Sequence, residues 1–538
     1  MEPMTYTWLF VLGLIFAFAD AFGIGSNDVA NSFATSVGSR SLTLKKALSI
    51  AVFTELGGAV LLGAGVADTI KNKIIDLKLF ADKPEALMLA FVCALFGSAL
   101  WVNAASRFGL PVSTTHSIVG AVAGVGLAAF GGDAVVWGWA GMGKIIASWF
   151  ISPVVAGLVA SIIYLITKFG VLRSPKALSR GLLAVPVYIF ITLFVCILYI
   201  VLKGGKSKQL SKNMGIAIGV AAGVGGAVAI WAIIFYVSWL HRLLVNEENM
   251  RWYHVFYTPF VPTQPKDENF GNHLNSVYRD HATGPAEGPK VADPETGKVN
   301  HSASLETIDA NPAQATSPLA VIDEKPKRGV FGSIKDMLMD NVNRDVVSSQ
   351  NANVKHVHDH AVKYESKVEY LYAFVQTLTA SFASFAHGSN DVANAVGPLA
   401  AIYAIWDSGV LPKSNVDVPI WILFFGGVAI DLGFLFCGWR VMRNLGNNIT
   451  YHSPSRGFSM ELGAAITVIS ASYINLPVST THCITGATAF VGLCNGSAKA
   501  VNWKVLAWCF GGWIVTVPVA GLVSGGLFAL LSNAPKLY

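Results

Sequence analysis

The sequence predicts an all-α integral membrane protein of about twelve transmembrane segments, in two inverted repeats with broken or re-entrant helices at the centre. Three observations carry this. Hydrophobic residues make up 53% of the 538-residue chain and charged residues only 13%, whereas soluble domains carry about 25% charged residues. The apolar residues gather in runs long enough to cross a bilayer, for which a helix needs about 20 of them. Two heptads also occur twice, in the same order. Gly25-Ser26-Asn27-Asp28-Val29-Ala30-Asn31 returns as Gly388-Ser389-Asn390-Asp391-Val392-Ala393-Asn394 after 363 residues. Leu110-Pro111-Val112-Ser113-Thr114-Thr115-His116 returns as Leu476-Pro477-Val478-Ser479-Thr480-Thr481-His482 after 366. What is duplicated is polar residues inside apolar surroundings, the pattern of carriers that hold their substrate where two repeats meet.

In chain order, apolar runs cover 6–33, 46–67, 86–105, 116–130 and 143–168, then 182–202 and 213–244. After a long polar stretch they resume at 368–400, 419–439, 458–474, 480–494 and 503–531. The first run continues through the first polar motif, so it reads as a spanning helix rather than a cleavable leader. The runs at 116–130, 458–474 and 480–494 are short and rich in Gly, Ala, Ser and Thr. They are expected to be re-entrant or broken, which is tolerated where the backbone is buried or lines a cavity. Residues 1–168 form a first repeat, 169–244 connector helices without a copy, 245–366 an insertion and 367–538 the second repeat. Seven crossings separate the starts of the repeats, and an odd number turns the second upside down.

The insertion holds 17 of the 32 acids and 12 of the 38 bases, leaving the membrane body with 26 bases against 15 acids. A positive body suits an anionic substrate, but basic cytoplasmic loops are the better account of this feature alone. Arg40, Lys45, Lys46, Lys168, Arg173, Lys176, Arg180, Arg440, Arg443 and Arg456 place both termini outside and the insertion in the cytoplasm. Lys203, Lys206, Lys208 and Lys212 vote the other way. The insertion is expected to be largely disordered, being rich in Pro and polar residues. Phe331, Ile334, Leu338 and Val342 mark one amphipathic helix within it. His356, His358 and His360 alternate in a flexible stretch and read as plain loop rather than metal ligands. The six cysteines sit in apolar segments without metal spacing and read as free thiols. Nothing in the chain points to nucleic acid.

Gly-Ser-Asn-Asp follows an apolar helix in both halves. A carboxylate and an amide oxygen, beside residues small enough to let backbone carbonyls turn inward, make a site for a hard cation such as sodium. Close helix packing explains Gly, Ser and Ala, but not an Asp at the same place twice. Pro-Val-Ser-Thr-Thr-His reads as a helix start, with Pro in the first turn and hydroxyls capping free N–H groups. Two such starts facing each other suit a tetrahedral oxyanion; ordinary capping is the plain alternative. Neither motif holds Arg or Lys, which fits a carrier that must release its anion. His116 and His482 are read as supports, with a proton relay as the alternative. Glu55 in Glu-Leu-Gly-Gly pairs with Asp431 in Asp-Leu-Gly-Phe as a weaker repeat. Glu461 and Asp20 have no copy and are candidates for asymmetric coupling-ion sites.

At these motifs the chain resembles the inorganic phosphate transporter (PiT) family of sodium-dependent phosphate symporters, over about 400 of the 538 residues. Val135-Val136-Trp137-Gly138-Trp139 is similar to the fungal plasma-membrane branch. The resemblance implies twelve segments in inverted repeats, a cytoplasmic central loop and symport of monovalent phosphate with sodium. It implies that Asn27, Asp28, Asn390 and Asp391 help bind sodium. It also implies that Ser113, Thr114, Thr115, Ser479, Thr480 and Thr481 hold phosphate. The family often has Ala or Gly-Ala at Ser26 and Ser389, a mild difference. Its frequent acid in the third segment is missing here.

The expected function is therefore secondary active symport of inorganic phosphate with sodium by alternating access, in a multi-pass protein of the plasma membrane. No cofactor beyond the coupling ion is expected; the partners are phosphate, sodium, the lipid bilayer and a homo-oligomer. Glu55, Asp431, Glu461, His116 and His482 are coupling or support residues. The rivals are a proton-coupled phosphate or sulfate symporter, an anion channel and a phosphate sensor. No nucleophile–base pair or metal centre marks an enzyme.

Overall fold

The computed structural model describes residues 2–72, 74–204, 213–278, 341, 352–411, 418–445 and 448–533. Among them the chain is helical, with two isolated bridges as the only β-type pairing. The helices of the first half are α1 Thr7–Asn27, α2 Val29–Gly38, α3 Leu44–Leu62, α4 Ala64–Asn72, α5 Pro84–Arg107, α6 Thr114–Phe130 and α7 Met142–Thr167. Next come α8 Ala177–Gly204, α9 Met214–Trp231 and α10 Ser238–Leu244. After α11 Phe270–Tyr278 and α12 Ala352–Asp359 follow α13 Ser366–Ser408, α14 Ile420–Leu445, α15 Pro454–Tyr473, α16 Thr480–Leu493 and α17 Trp503–Ser532.

Among the described residues, eight stretches are long and apolar enough to cross a membrane, including Thr7–Gly38, Met142–Leu172, Met214–Leu244 and Trp503–Ser532. Phe150, Ile162, Ile166, Ile233 and Leu522 are exposed on their outer faces, an apolar surface of the kind that lipid covers. The runs at 46–67, 368–400, 458–474 and 480–494 are helices too (α3, α13, α15 and α16), but shorter or more polar, because they carry buried acids and motif residues.

The two halves lock together through reciprocal contacts. A methyl group at Gly25 on α1 would stand 1.8 Å from Ile430 O on α14, and one at Gly433 would stand 1.9 Å from Phe22 O. In the mirror-image pairing, a methyl group at Gly388 on α13 would collide with Glu55 O on α3, and one at Gly58 with Phe385 O. Small residues are what lets apolar helices approach this closely. These contacts fix the register between the halves. Gly58 is equivalent to Gly433, so Glu55 is equivalent to Ile430, and the sequence pairing of Glu55 with Asp431 is displaced by one residue. Helical packing chose the glycine that meets a backbone carbonyl, not the best string match.

Both Gly-Ser-Asn-Asp strings keep a helical backbone. Asp28 interrupts α1 and α2 for a single residue that keeps right-handed helical angles, and Asp391 lies inside the unbroken α13. The two ends of the insertion, 245–278 and 352–366, are ordered. Arg242 bonds Glu248 at 2.9 Å and the carbonyl oxygens of Val261 and Pro262 at 2.7 Å, folding residues 245–266 back on α10. Lys367 reaches Glu247 at 2.6 Å, and α11 packs on α13. The helix expected around Phe331, Ile334, Leu338 and Val342 lies outside the described residues. His356 and His360 stack at 4.4 Å, whereas His358 turns inward against Tyr451, so the three rings do not converge. The six cysteines are free.

Candidate ion and substrate site

α6 and α16 begin inside the protein. An extended lead-in from Leu110 and from Leu476 ends at Ser113 and Ser479, whose hydroxyls each accept the N–H three residues on, His116 and His482, at 3.2 Å. These two serines are N-caps. The threonines that follow are buried and face the aspartates of both halves.

Thr114 Oγ1 donates to Asp28 Oδ2 at 2.6 Å, and Thr480 Oγ1 to Asp391 Oδ2 at 2.7 Å. Across the halves, Thr481 donates to Asp28 Oδ1 at 2.7 Å and Thr115 to Asp391 Oδ1 at 3.4 Å. Asn31 donates to Thr481 at 2.8 Å and Asn394 to Thr115 at 3.2 Å. Each aspartate thus holds the start of its own inner helix and that of the opposite half. Asn27 anchors the lead-in to α6, donating to Leu110 O at 2.9 Å and accepting from Val112 N at 3.0 Å. Asn390 does the same for α16 through Val478 O at 2.9 Å and also donates to Asp391 at 2.7 Å. The asparagines shape the scaffold, and the Asp and Thr oxygens converge.

Two halves so nearly equal differ at one group that the sequence reading passed over. His387 Nδ1 lies 2.7 Å from Glu55 Oε2. Its Nε2 lies 3.0 Å from Asp391 Oδ2, within ion-pair reach though not aligned for a hydrogen bond. Ser384 completes the Glu55 shell at 2.6 Å. The first half has Ile24 at the equivalent place, so the repeat itself hid the histidine; its spacing of four from Asp391 on one helix was the available signal.

Asp28, His387 and Asp391 offer ligand atoms within 4.8 Å of one another and are all buried. Two buried carboxylates this close repel strongly unless a cation stands between them. Oxygen ligands from Asp and Thr fit a hard cation. Cavities of about 20 Å³ each flank this point: one is lined by Asn31, His387 and Thr480, the other by Asn31, Thr35, His452 and Thr485. Each has room for a water or a small ion.

Glu461 forms a second buried acid site beyond α2. It accepts from Thr35 at 2.5 Å, Ser36 at 2.6 Å, Thr379 at 2.6 Å and Gln376 at 3.1 Å. His116 and His482 meet edge to face at 4.4 Å between Trp149 and Trp513. Asp431 stands apart, half-buried beside Leu48, Val52 and Phe434 with its Oδ1 unpartnered.

Comparison with known proteins agrees with this geometry. The sequence profile of the phosphate transporter family matches residues 24–524. The phosphate-repressible phosphate permease pho-4 of Neurospora crassa is 40% identical, over 99% of this chain and 98% of its own. Sodium-dependent phosphate transporter 1-A of Danio rerio is 32% identical over 97% of this chain and 94% of its own. A solved sodium-dependent phosphate transporter superposes with a TM-score of 0.69 at 27% identity, covering 98% of this chain and 100% of that one. The chain belongs to the phosphate transporter family.

Proposed function

We propose that this protein carries inorganic phosphate together with sodium across the plasma membrane, as a symporter of two inverted repeats working by alternating access. One observation carries the reading: carboxylate–hydroxyl pairs from both halves converge on a buried point at two helix starts. The names of the relatives support the choice of phosphate and sodium.

The geometry suggests how coupling arises. With Asp28 and Asp391 holding the threonine hydroxyls, the starts of α6 and α16 are closed to an anion. Sodium between the carboxylates takes over their lone pairs and frees the hydroxyls of Thr114, Thr115, Thr480 and Thr481. Those donors, with the positive ends of α6 and α16, then face phosphate. Loss of sodium returns the hydroxyls to the aspartates and expels the anion. No fixed cation is needed, so release is not slowed.

Asp28→Asn and Asp391→Asn should each abolish sodium-driven phosphate uptake in protein that still inserts. Unchanged uptake in both would remove the aspartates from the mechanism. A proton in place of sodium is the second reading, favoured by His387 bridging Glu55 and Asp391. Equal uptake with sodium and with choline under a proton gradient would select it.

A further inference from the structure

Asp20, on α1, is 1% exposed, and neither of its carboxylate oxygens has a hydrogen-bond partner. Every other buried acid of the core is served. Asp28 and Asp391 have the threonines, Glu55 has His387 and Ser384, and Glu461 has four donors. Among the described residues, Asp20 is the one buried acid with neither oxygen hydrogen-bonded. A charge in that position is costly unless something balances it.

The oxygens beside it suit an ion. The Ser98 side chain on α5 stands next to Asp20, and its hydroxyl donates to Ser117 Oγ on α6 at 3.0 Å. Both serines are fully buried. The carboxylate, the Ser98 hydroxyl beside it and the Ser117 hydroxyl one hydrogen bond further on are all oxygen groups with a single negative charge, which a monovalent hard cation neutralises and a divalent one does not. By the spacing of the paired motifs, the equivalent positions in the second half are Ala383, Ala464 and Cys483. All three polar groups are exchanged together, as expected of parts of one site. Glu461 shows the reverse: its equivalent in the first half is Leu95.

The two unpaired sites lie on opposite sides of the centre. Asp28 keeps helical angles, so α1 and α2 share a nearly continuous axis. At a rise of about 1.5 Å per residue, Asp20 lies about 12 Å before Asp28 on that axis, and Thr35, which holds Glu461, about 10 Å after it.

We propose that Asp20, with the hydroxyls of Ser98 and Ser117, binds a sodium ion at a site separate from the Asp28–Asp391 centre. Sodium ions thereby stand in series along α1 and α2, with one acid site on either side of the substrate. The identity of the ion rests on the sodium coupling proposed above; the site itself rests on the bare carboxylate.

Binding of radioactive sodium to the full-length purified protein in nanodiscs, without phosphate, tests this. Asp20→Asn should bind one sodium fewer per chain at saturation. Ser98→Ala and Ser117→Ala, which keep the acid and remove one hydroxyl each, should weaken one class of sodium about tenfold, the size of one lost ligand to a charge. Phosphate half-saturation at saturating sodium should not move in the serine variants. Equal sodium binding by Asp20→Asn and wild type overturns the site and makes Asp20 a neutral acid. Should Asp20→Asn fail to fold, unchanged sodium affinity in both serine variants overturns it instead. Absence of sodium binding to the wild type would overturn the coupling reading as well.

Discussion

His387 offers the sharpest single perturbation of the centre. It stands between Glu55, at 2.7 Å, and Asp391, at 3.0 Å, and all three are buried. His387→Ala leaves those carboxylates without the group that separates them. Removing one partner of a buried charged pair costs about 3–5 kcal/mol of stability, so a thermal-shift assay should show His387→Ala strongly destabilised. The carboxylates it leaves unbalanced should hold a cation more tightly, so the sodium half-saturation concentration for phosphate uptake should fall. His387→Gln keeps a donor for one carboxylate only and should lie between His387→Ala and wild type. The assay is the initial rate of phosphate uptake into proteoliposomes against sodium concentration, in protein checked for a single monodisperse peak. Sodium dependence of the wild-type kind in His387→Ala would refute the bridging role.

Other perturbations test the remaining parts of the account. Gly433→Ala puts a methyl 1.9 Å from Phe22 O, whereas one at Gly57 meets Phe385 at an ordinary 3.7 Å. A thermal-shift assay should show Gly433→Ala destabilised by about 1–3 kcal/mol and Gly57→Ala near wild type; equal effects would refute the register between the halves. Glu461→Gln keeps the shape and most of the hydrogen bonds of its pocket, so it should insert and remain folded while sodium half-saturation rises about tenfold. In the folded start of the insertion, burial would push the Glu248 carboxyl up, but Arg242, the Gln264 N–H and Asn246 outweigh it and hold the group at about 2. A depressed acid stabilises the fold above its unfolded value and loses that contribution as pH falls toward the folded one. Residues 245–266 should therefore loosen between about pH 4 and pH 2, seen as faster proteolysis there by an acid-active protease. Glu248→Gln should show the same looseness already at neutral pH.

The paired heptads made much of the centre legible. A repeat that duplicates Asp28 as Asp391 and Thr114 as Thr480 names both sides of a contact before any coordinates exist. Asymmetric features were harder to see. His387 breaks the repeat, with Ile24 as its equivalent, so a search for duplicated residues passed over it. Glu461 is visible as an unpaired acid, but its donors come from α2, more than 400 residues away in sequence, and from α13, more than 80 away. The pairing of Glu55 with Asp431 followed the better string match and was displaced by one residue, because the register is set by which glycine can meet a backbone carbonyl. At Gly25 and Gly388 the small residues of the Asp motifs thin a helix for its neighbour, which a single string does not reveal because the partner carbonyl comes from the other half. Composition does not reveal the order at the start of the insertion. Its polar, Pro-rich start folds because Arg242 gathers carbonyl oxygens and Glu248 from a stretch with little apolar content.

The central claim is that sodium and phosphate move together through the site built by Asp28, Asp391 and the four threonines. Its most direct test is radioactive phosphate uptake into proteoliposomes of the purified protein, under an inward sodium gradient against choline at fixed pH. The account predicts uphill phosphate accumulation with sodium and none with choline. Equal accumulation with the two cations, or none with sodium in well-folded protein, would contradict it.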